Sequence, residues 1–307
     1  MVIRAAIVGI SEGNGHPFSF SAIVNGYSPA ALAASGWPGI YEYVRRRDPS
    51  EFGMDGFHIT HAWTQDPEVT RKLCEASLIR HPVSQLEDLV GAVDAVIIAR
   101  DDHENHFRMA MPFLQAGLHV FLDKPLSLDL AELRQLKPYL ERGQLMSCSG
   151  MRFAKELDEV RTSIGDYGRL TLVRGAIVLS WEKYGVHLLD AILPLMNARP
   201  VSATALEAQH ASVAIALDDG TLLHIDALGD VPRTFRIDIW GAQRASTHEI
   251  IDNFSMFRRT LWHFTESIKT QKAAIPAQDT LDIMRTLIAG RLSQQQGRTV
   301  LLDEIQL

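Results

Sequence analysis

The chain has 307 residues, a formal net charge of -7 and a sequence pI near 5.9. That length allows two domains that each bury a core, and the acidic balance argues against a nucleic-acid or anionic-membrane partner. No apolar stretch approaches the ~20 residues that span a bilayer, and Cys74 and Cys148 are too few for a disulfide framework. The first residues enter a strand without the layout of a signal peptide, so the expected location is cytoplasmic.

In chain order, residues 3–10 read as an apolar strand, followed by a glycine-bearing turn and a short helix near 19–25. Residues 26–56, rich in Pro, Gly and Tyr, predict a long irregular insertion. A strand at 57–63, a helix at 67–76, a short strand near 77–79 and a helix near 85–90 follow. Residues 93–99 form an apolar strand, 107–117 an amphipathic helix, and 119–122 a strand ending on Asp123-Lys124-Pro125. Strand, helix, strand implies parallel pairing. A helix at 128–142 and a strand at 144–150 complete a doubly wound α/β pattern.

Beyond residue 150 the pattern changes. A helix at 155–163, a strand at 170–181 and a helix at about 184–196 precede four strand-like runs, at 201–209, 212–217, 221–228 and 234–240. Asp218-Asp219-Gly220 marks a hairpin, and successive strands with short turns predict a mainly antiparallel open sheet. Helices at 253–271 and 279–294 close the chain. The expected division is therefore a doubly wound α/β domain at 1–150 and a second α/β domain at 151–307, which the family resemblance described below implies to be a dinucleotide-binding Rossmann domain and a substrate and oligomerisation domain.

The turn Gly9-Ile10-Ser11-Glu12-Gly13-Asn14-Gly15-His16 precedes a helix. Glycines there let backbone N–H groups approach a pyrophosphate, although the spacing is not G-x-G-x-x-G and Glu12 has the wrong sign for phosphate. At the end of the second strand, Thr64 stands where an acid would bind an NAD ribose, which leaves NAD and NADP both open. In Asp101-Asp102-His103-Glu104-Asn105-His106 the acids read as caps of a helix start rather than as metal ligands, so no metal is expected. His187 and Asp190 share a helical face, which fits either a helix-start histidine or a base whose ring a carboxylate holds.

Three blocks carry a family resemblance. Gln115-Ala116-Gly117-Leu118-His119-Val120-Phe121-Leu122-Asp123-Lys124-Pro125 resembles the A-G-K-H-V-x-x-E-K-P block of the glucose-fructose oxidoreductase, inositol dehydrogenase and MocA family, with Asp123 for the usual Glu. Ser149-Gly150-Met151-Arg152-Phe153 is similar to that family's next strand end. Gly185-Val186-His187-Leu188-Leu189-Asp190 looks like its G-x-H-x-x-D helix, and 293–301 resembles its closing S-x-x-x-G-x-x-V. The resemblance implies an NAD(P)-dependent oxidoreductase acting on a hydroxyl or keto group of a sugar, nucleotide sugar or cyclitol, assembled as a homodimer or homotetramer. Lys124 would bind the reacting oxygen and His187 exchange its proton, with either one the terminal base. Gly9, Ser11, Gly13, Gly15, Thr64, Asp101, Asp123 and Lys124 are the expected cofactor residues. Arg152, Lys183, Tyr184 and His187 join Lys124 at the substrate. Three departures stand out: Lys183 replaces an Asp four residues before the histidine, the loop between the preceding strand and that histidine is short, and Asp101-Asp102 replaces a Thr-Pro. They keep open an alternative, a non-catalytic dinucleotide-binding sensor or assembly protein of the same fold.

Overall fold

The structure is a computed structural model that describes residues 2–307. In chain order the elements are β1 (Ile3–Val8), α1 (His16–Asn25), α2 (Pro29–Ala33), α3 (Pro38–Val44), β2 (Phe57–Trp63), α4 (Pro67–Ala76), β3 (His81–Pro82), β4 (Ala95–Ile98), α5 (His106–Gln115), β5 (His119–Leu122), α6 (Leu130–Glu141) and β6 (Leu145–Met146). The second half holds α7 (Asp158–Ser163), β7 (Leu170–Ile177), α8 (Val186–Ile192), β8 (Pro200–Leu206), β9 (Ala211–Leu217), β10 (Leu222–Ala227), β11 (Phe235–Gly241), β12 (Ala245–Glu249), α9 (Asn253–Thr270), α10 (Ala277–Gln296) and β13 (Val300–Leu301).

Two compact units result, and neither is continuous in sequence. One comprises Met1–Leu126, Leu136–Ser147 and Asn253–Pro276; the other comprises Ser127–Gln135, Cys148–Asp252 and Ala277–Leu307. The change of architecture near residue 150 therefore coincides with one junction only, because α9 packs with the first unit and residues 127–135 with the second.

The first unit is a parallel sheet of order β3-β2-β1-β4-β5-β6. All four residues of β4 are buried, as strands covered on both faces require. Residues 26–56 are not the irregular insertion that composition suggests, since they fold as α2, α3 and a 3-10 turn at Pro49–Glu51. Each of these starts with proline in its first turn, where the missing N–H costs nothing and φ is already helical. Smaller shifts have local causes. The short strand lies at His81–Pro82 rather than at 77–79, and the segment expected as a helix near 85–90 is one 3-10 turn, Leu86–Leu89.

The second unit carries a sheet of order β12-β11-β7-β10-β9-β8-β13. Its neighbours run antiparallel except β7 and β10, which are parallel. The hairpin at 218–220 is present, with Gly220 at φ 85. Strands β12 and β13 were not expected from the sequence. Conversely, β7 stops at Ile177: Leu179 adopts φ 61, and Ser180 caps a π-helical turn, Trp181–Gly185, that leads into α8. One face of the sheet, including Val173, Ile225, Val213 and Ile237, is buried, and on it Gly175 lets Leu188 of α8 approach the strand closely.

Candidate active site

In the first unit the strand order reverses between β1 and β4. Such sheets bind ligands outside the carboxyl ends of the strands at that point, which here are the segments after Val8 and Ile98. Gly9 has φ 80, and its missing Cβ leaves space that the Arg100 side chain fills. Ser11 and Asn14 pair across the turn, and Gly13, at φ 74, occupies a conformation that side chains disfavour. Gly15 serves differently: a Cβ there would overlap Trp37 and Ile40. Among the described residues none accepts from the N–H groups of Glu12, Gly13 or Gly15, which lie at the start of the ten-residue helix α1. Free N–H groups at a helix start suit a phosphate, so the turn fits a dinucleotide despite its spacing.

Behind the turn, the Ser11 hydroxyl donates to Asp101 Oδ1 at 2.6 Å, and the Asp101 N–H returns to Ser11 Oγ at 3.1 Å. Asp101 Oδ2 lies 3.8 Å from Lys124 Nζ. The acids at 101 and 102 are therefore not the helix caps expected of them: Asp102 receives Arg100 and Asn105, and makes no capping bond. His106 is buried with its ring nitrogens facing the carbonyls of Arg100 (2.7 Å) and Leu126 (3.2 Å), a structural bridge.

Lys124 and Asp123 end β5, and both are buried. Asp123 Oδ2 accepts from Asn14 Nδ2 at 3.1 Å and lies 2.6 Å from His16 Nδ1, while Oδ1 accepts the Lys124 N–H at 2.8 Å. Burial alone would raise this carboxyl, but His16 and Lys124 outweigh it and hold Asp123 well below the usual carboxylate range. Asn14 and His16 escaped the sequence reading. Their signal was the replacement of the usual Glu by a shorter Asp, together with a histidine directly after the glycine turn.

Thr64 is placed differently from expectation. Its hydroxyl is buried, donates to the Asp66 carbonyl at 2.7 Å and meets Thr70 Oγ1 at 2.8 Å, so it anchors the start of α4 and does not present itself to a ribose. The exposed neighbour Gln65 instead clamps Ile10, accepting its N–H at 3.1 Å and donating to its carbonyl at 2.7 Å.

In the second unit the π-helical turn and α8 carry Lys183, Tyr184 and His187, all half-buried. Trp181 is fully buried, donates Nε1–H to the Leu287 carbonyl at 2.9 Å and lies against Gly185 and Gly290, where any Cβ would overlap its ring. That packing explains the glycine two residues before His187 without any ligand. The Tyr184 and His187 rings are 5.0 Å apart. Asp190 does not hold the imidazole: Oδ2 accepts the Ser149 N–H at 2.8 Å and Oδ1 accepts Arg152 Nη1 at 3.1 Å. Burial pushes the Asp190 carboxyl up to about 6 despite the pull of Arg152. Arg152, expected at the substrate, has its second Nη on Asp279 at 2.8 Å and braces these acids. The residue that reaches His187 is Ser149, whose Oγ is 2.6 Å from Nδ1. Sequence spacing had no means of pairing residues 149 and 187.

The parallel sheet with its glycine turn has the Rossmann architecture, and it is joined in the chain to a unit with a mixed, mainly antiparallel sheet. Residues 41–150, about a third of the chain, match the model of the oxidoreductase family with NAD-binding Rossmann fold that groups glucose-fructose oxidoreductase, inositol dehydrogenase and MocA. That family is described as NAD-binding. "Putative oxidoreductase YceM" of Salmonella typhimurium is 28% identical over 119 residues, an alignment covering 38% of either chain. Among solved structures, myo-inositol 2-dehydrogenase from Lactobacillus plantarum superposes with a TM-score of 0.78 at 16% identity, covering 100% of both chains. Scyllo-inositol dehydrogenase from Lactobacillus casei, with bound NAD(H) and scyllo-inositol, gives a TM-score of 0.76 at 15% identity, covering 99% of this chain and 100% of that one. At such identities these two structures show a shared fold.

Proposed function

We propose that the chain is a dehydrogenase that uses NAD to oxidise a carbinol, or reduce the corresponding carbonyl, on a cyclitol or sugar. The observation that carries this reading is Lys124: a lysine 3% exposed, ending a parallel strand on the ligand side of the sheet, 3.8 Å from Asp101. Lysine is rarely buried without a partner or a task. Gly9, Ser11, Gly13 and Gly15 would cradle the pyrophosphate, and NAD when bound supplies the hydride acceptor or donor. Lys124 would bind the reacting oxygen, and the family resemblance gives His187 the exchange of its proton. Lys183, cationic where the family has an acid, favours an anionic substrate such as a uronate or nucleotide sugar over a neutral one. The cyclitol bound by the Lactobacillus casei relative supports the polyol class.

Absorbance at 340 nm with NAD or NADP and a panel of inositols, sugars, uronates and nucleotide sugars tests the reading. Lys124→Met should lower turnover by about 10²-fold or more, the usual scale for a positioned acid or base, and leave cofactor binding nearly intact. Wild-type rates in the variant would overturn the assignment. No turnover across the panel with cofactor bound would leave the sensor reading.

Self-association through the free face of the second unit's sheet belongs to the same proposal. Trp240, Leu172, Leu222 and Ala216 stand in one register row across four strands, and Trp240 and Leu222 are 40% and 41% exposed. A homodimer or homotetramer would bury that row. Light scattering at micromolar concentration should give a multiple of the chain mass; the mass of one chain would overturn it.

A further inference from the structure

His16 begins α1 directly after the glycine turn, and its ring is held by three neighbours. It stacks on Phe20, one turn along α1, with ring centroids 4.9 Å apart, and Phe257 of α9 meets it in a T-shape at 5.0 Å. Nδ1 lies 2.6 Å from Asp123 Oδ2. Asp123 is held ionised, and a carboxylate only accepts. Nδ1 therefore carries the proton of this bond, and in the neutral ring Nε2 keeps a lone pair. Among the described residues nothing hydrogen-bonds Nε2, although the His16 side chain is 21% exposed.

The turn thus offers two kinds of polar group side by side. The N–H groups of Glu12, Gly13 and Gly15 are donors and suit phosphate oxygens, whereas Nε2 of the neutral ring is an acceptor and suits a hydroxyl. A ribose joined to a pyrophosphate presents both. The strand that carries Asp123 selects which ribose, because a dinucleotide lies across the sheet with one mononucleotide on each half. The adenosine ribose belongs to the half that contains β2, and Asp123 ends β5 in the other half. Resting on the reading that this unit binds NAD, we propose that Asp123 orients His16 so that Nε2 accepts a hydrogen bond from a hydroxyl of the nicotinamide-side ribose. Asn14 completes the arrangement: its Oδ1 accepts the His16 N–H at 2.9 Å and its Nδ2 donates to Asp123 Oδ2 at 3.1 Å. One side chain therefore ties the backbone of the turn to the carboxylate that aims the ring. All of these residues, Phe257 included, belong to the first unit.

Two amides separate the roles of the two ring nitrogens. In His16→Asn the side-chain amide reaches about as far as Nδ1 and can still donate to Asp123, but nothing stands at the Nε2 position. In His16→Gln the longer amide reaches the Nε2 position and leaves Asp123 without that donor. Calorimetry on the full chain at pH 8 should find NAD and ADP-ribose bound about tenfold more weakly by His16→Asn, the scale of one hydrogen bond, with ADP, which lacks the second ribose, bound as by wild type. His16→Gln should keep more NAD affinity than His16→Asn. The reverse order would show a histidine that only braces Asp123 and would overturn the proposal, as would an equal loss for ADP. The wild-type ring can also be read directly. With ¹⁵N-labelled histidine at pH 8, the His16 signals, identified by their loss in either variant, should show Nδ1 protonated and Nε2 unprotonated, and Nε2 should shift on adding ADP-ribose but not ADP. A proton on Nε2 overturns the proposal. Wild type that binds neither NAD nor ADP-ribose would count against the dinucleotide reading itself, and wild-type binding with unchanged affinity in His16→Asn against the role of His16 alone.

Discussion

Two buried aspartates, one in each unit, stand beside the residues expected to do chemistry, and their environments drive them in opposite directions. Asp123 and Asp190 are 2% and 3% exposed, so burial opposes ionisation at both. Asp123 is nonetheless held below the usual carboxylate range, because His16, Lys124 and Asn14 all serve it. Asp190 is raised to about 6 by its burial, which Arg152 and the Ser149 N–H only partly offset and to which the charge of Asp279, on the same Arg152, adds. Burial therefore does not by itself decide the charge state of a carboxyl; the charges and hydrogen-bond donors around it do. The first arrangement gives a fixed anion beside Lys124, the second a carboxyl that titrates near neutrality behind Ser149 and His187.

The largest effect should come from breaking the first arrangement. Asp123→Ala removes the anion that His16 and Asn14 both reach, and breaking a buried pair typically costs about 3–5 kcal/mol. Urea unfolding at pH 7 measures it, and a loss under ~1 kcal/mol would mean that the anion is not held as described. Next comes the pH dependence of Asp190. Its folded value, about 6, lies above the 3.8 of an ordinary aspartate, so the protonated carboxyl stabilises the fold fully below about 3.8. That stabilisation is lost as pH rises through about 6, and the two-unit difference corresponds to about 3 kcal/mol. The sign is opposite for Asp123, whose stabilisation is present above 3.8 and disappears as pH falls below it. Asp190→Asn should flatten the stability profile between pH 4 and pH 7, and an unchanged slope would break the contrast.

The fold was readable because apolar strands alternating with helices leave few topologies, and strands such as β4 state their burial through composition alone. Lys124 and His187 were readable because each ends or opens an element within a compact motif. What stayed hidden depended on proximity in three dimensions. Asn14 and His16 reach Asp123 over more than a hundred residues, and Ser149 reaches His187 across 38. Thr64 misled because a strand-end position says where a residue stands but not which way its hydroxyl turns, and the helix start of α4 claimed it. The prolines of residues 26–56 misled by their double meaning, as breakers of helices and as good first residues of them.

The smallest effect separates two kinds of glycine in the phosphate turn. Gly13 has φ 74 with nothing within 4 Å of the position a Cβ would take, whereas Gly15 has ordinary φ and no room beside Trp37 and Ile40. Gly13→Val should therefore cost stability through its backbone rather than by crowding, about 1–2 kcal/mol, the left-handed penalty for an ordinary residue. Gly13→Asn should recover most of that loss, because asparagine tolerates the left-handed region. Equal losses for Val and Asn would show that space, not φ, governs the position. The same two variants probe the ligand: if phosphate oxygens lie against the N–H groups of residues 12, 13 and 15, calorimetry should find NAD affinity falling with Val and returning with Asn. NAD affinity unchanged in Gly13→Val would move the phosphates away from this turn, and with them the role assigned to Ser11 and Gly15.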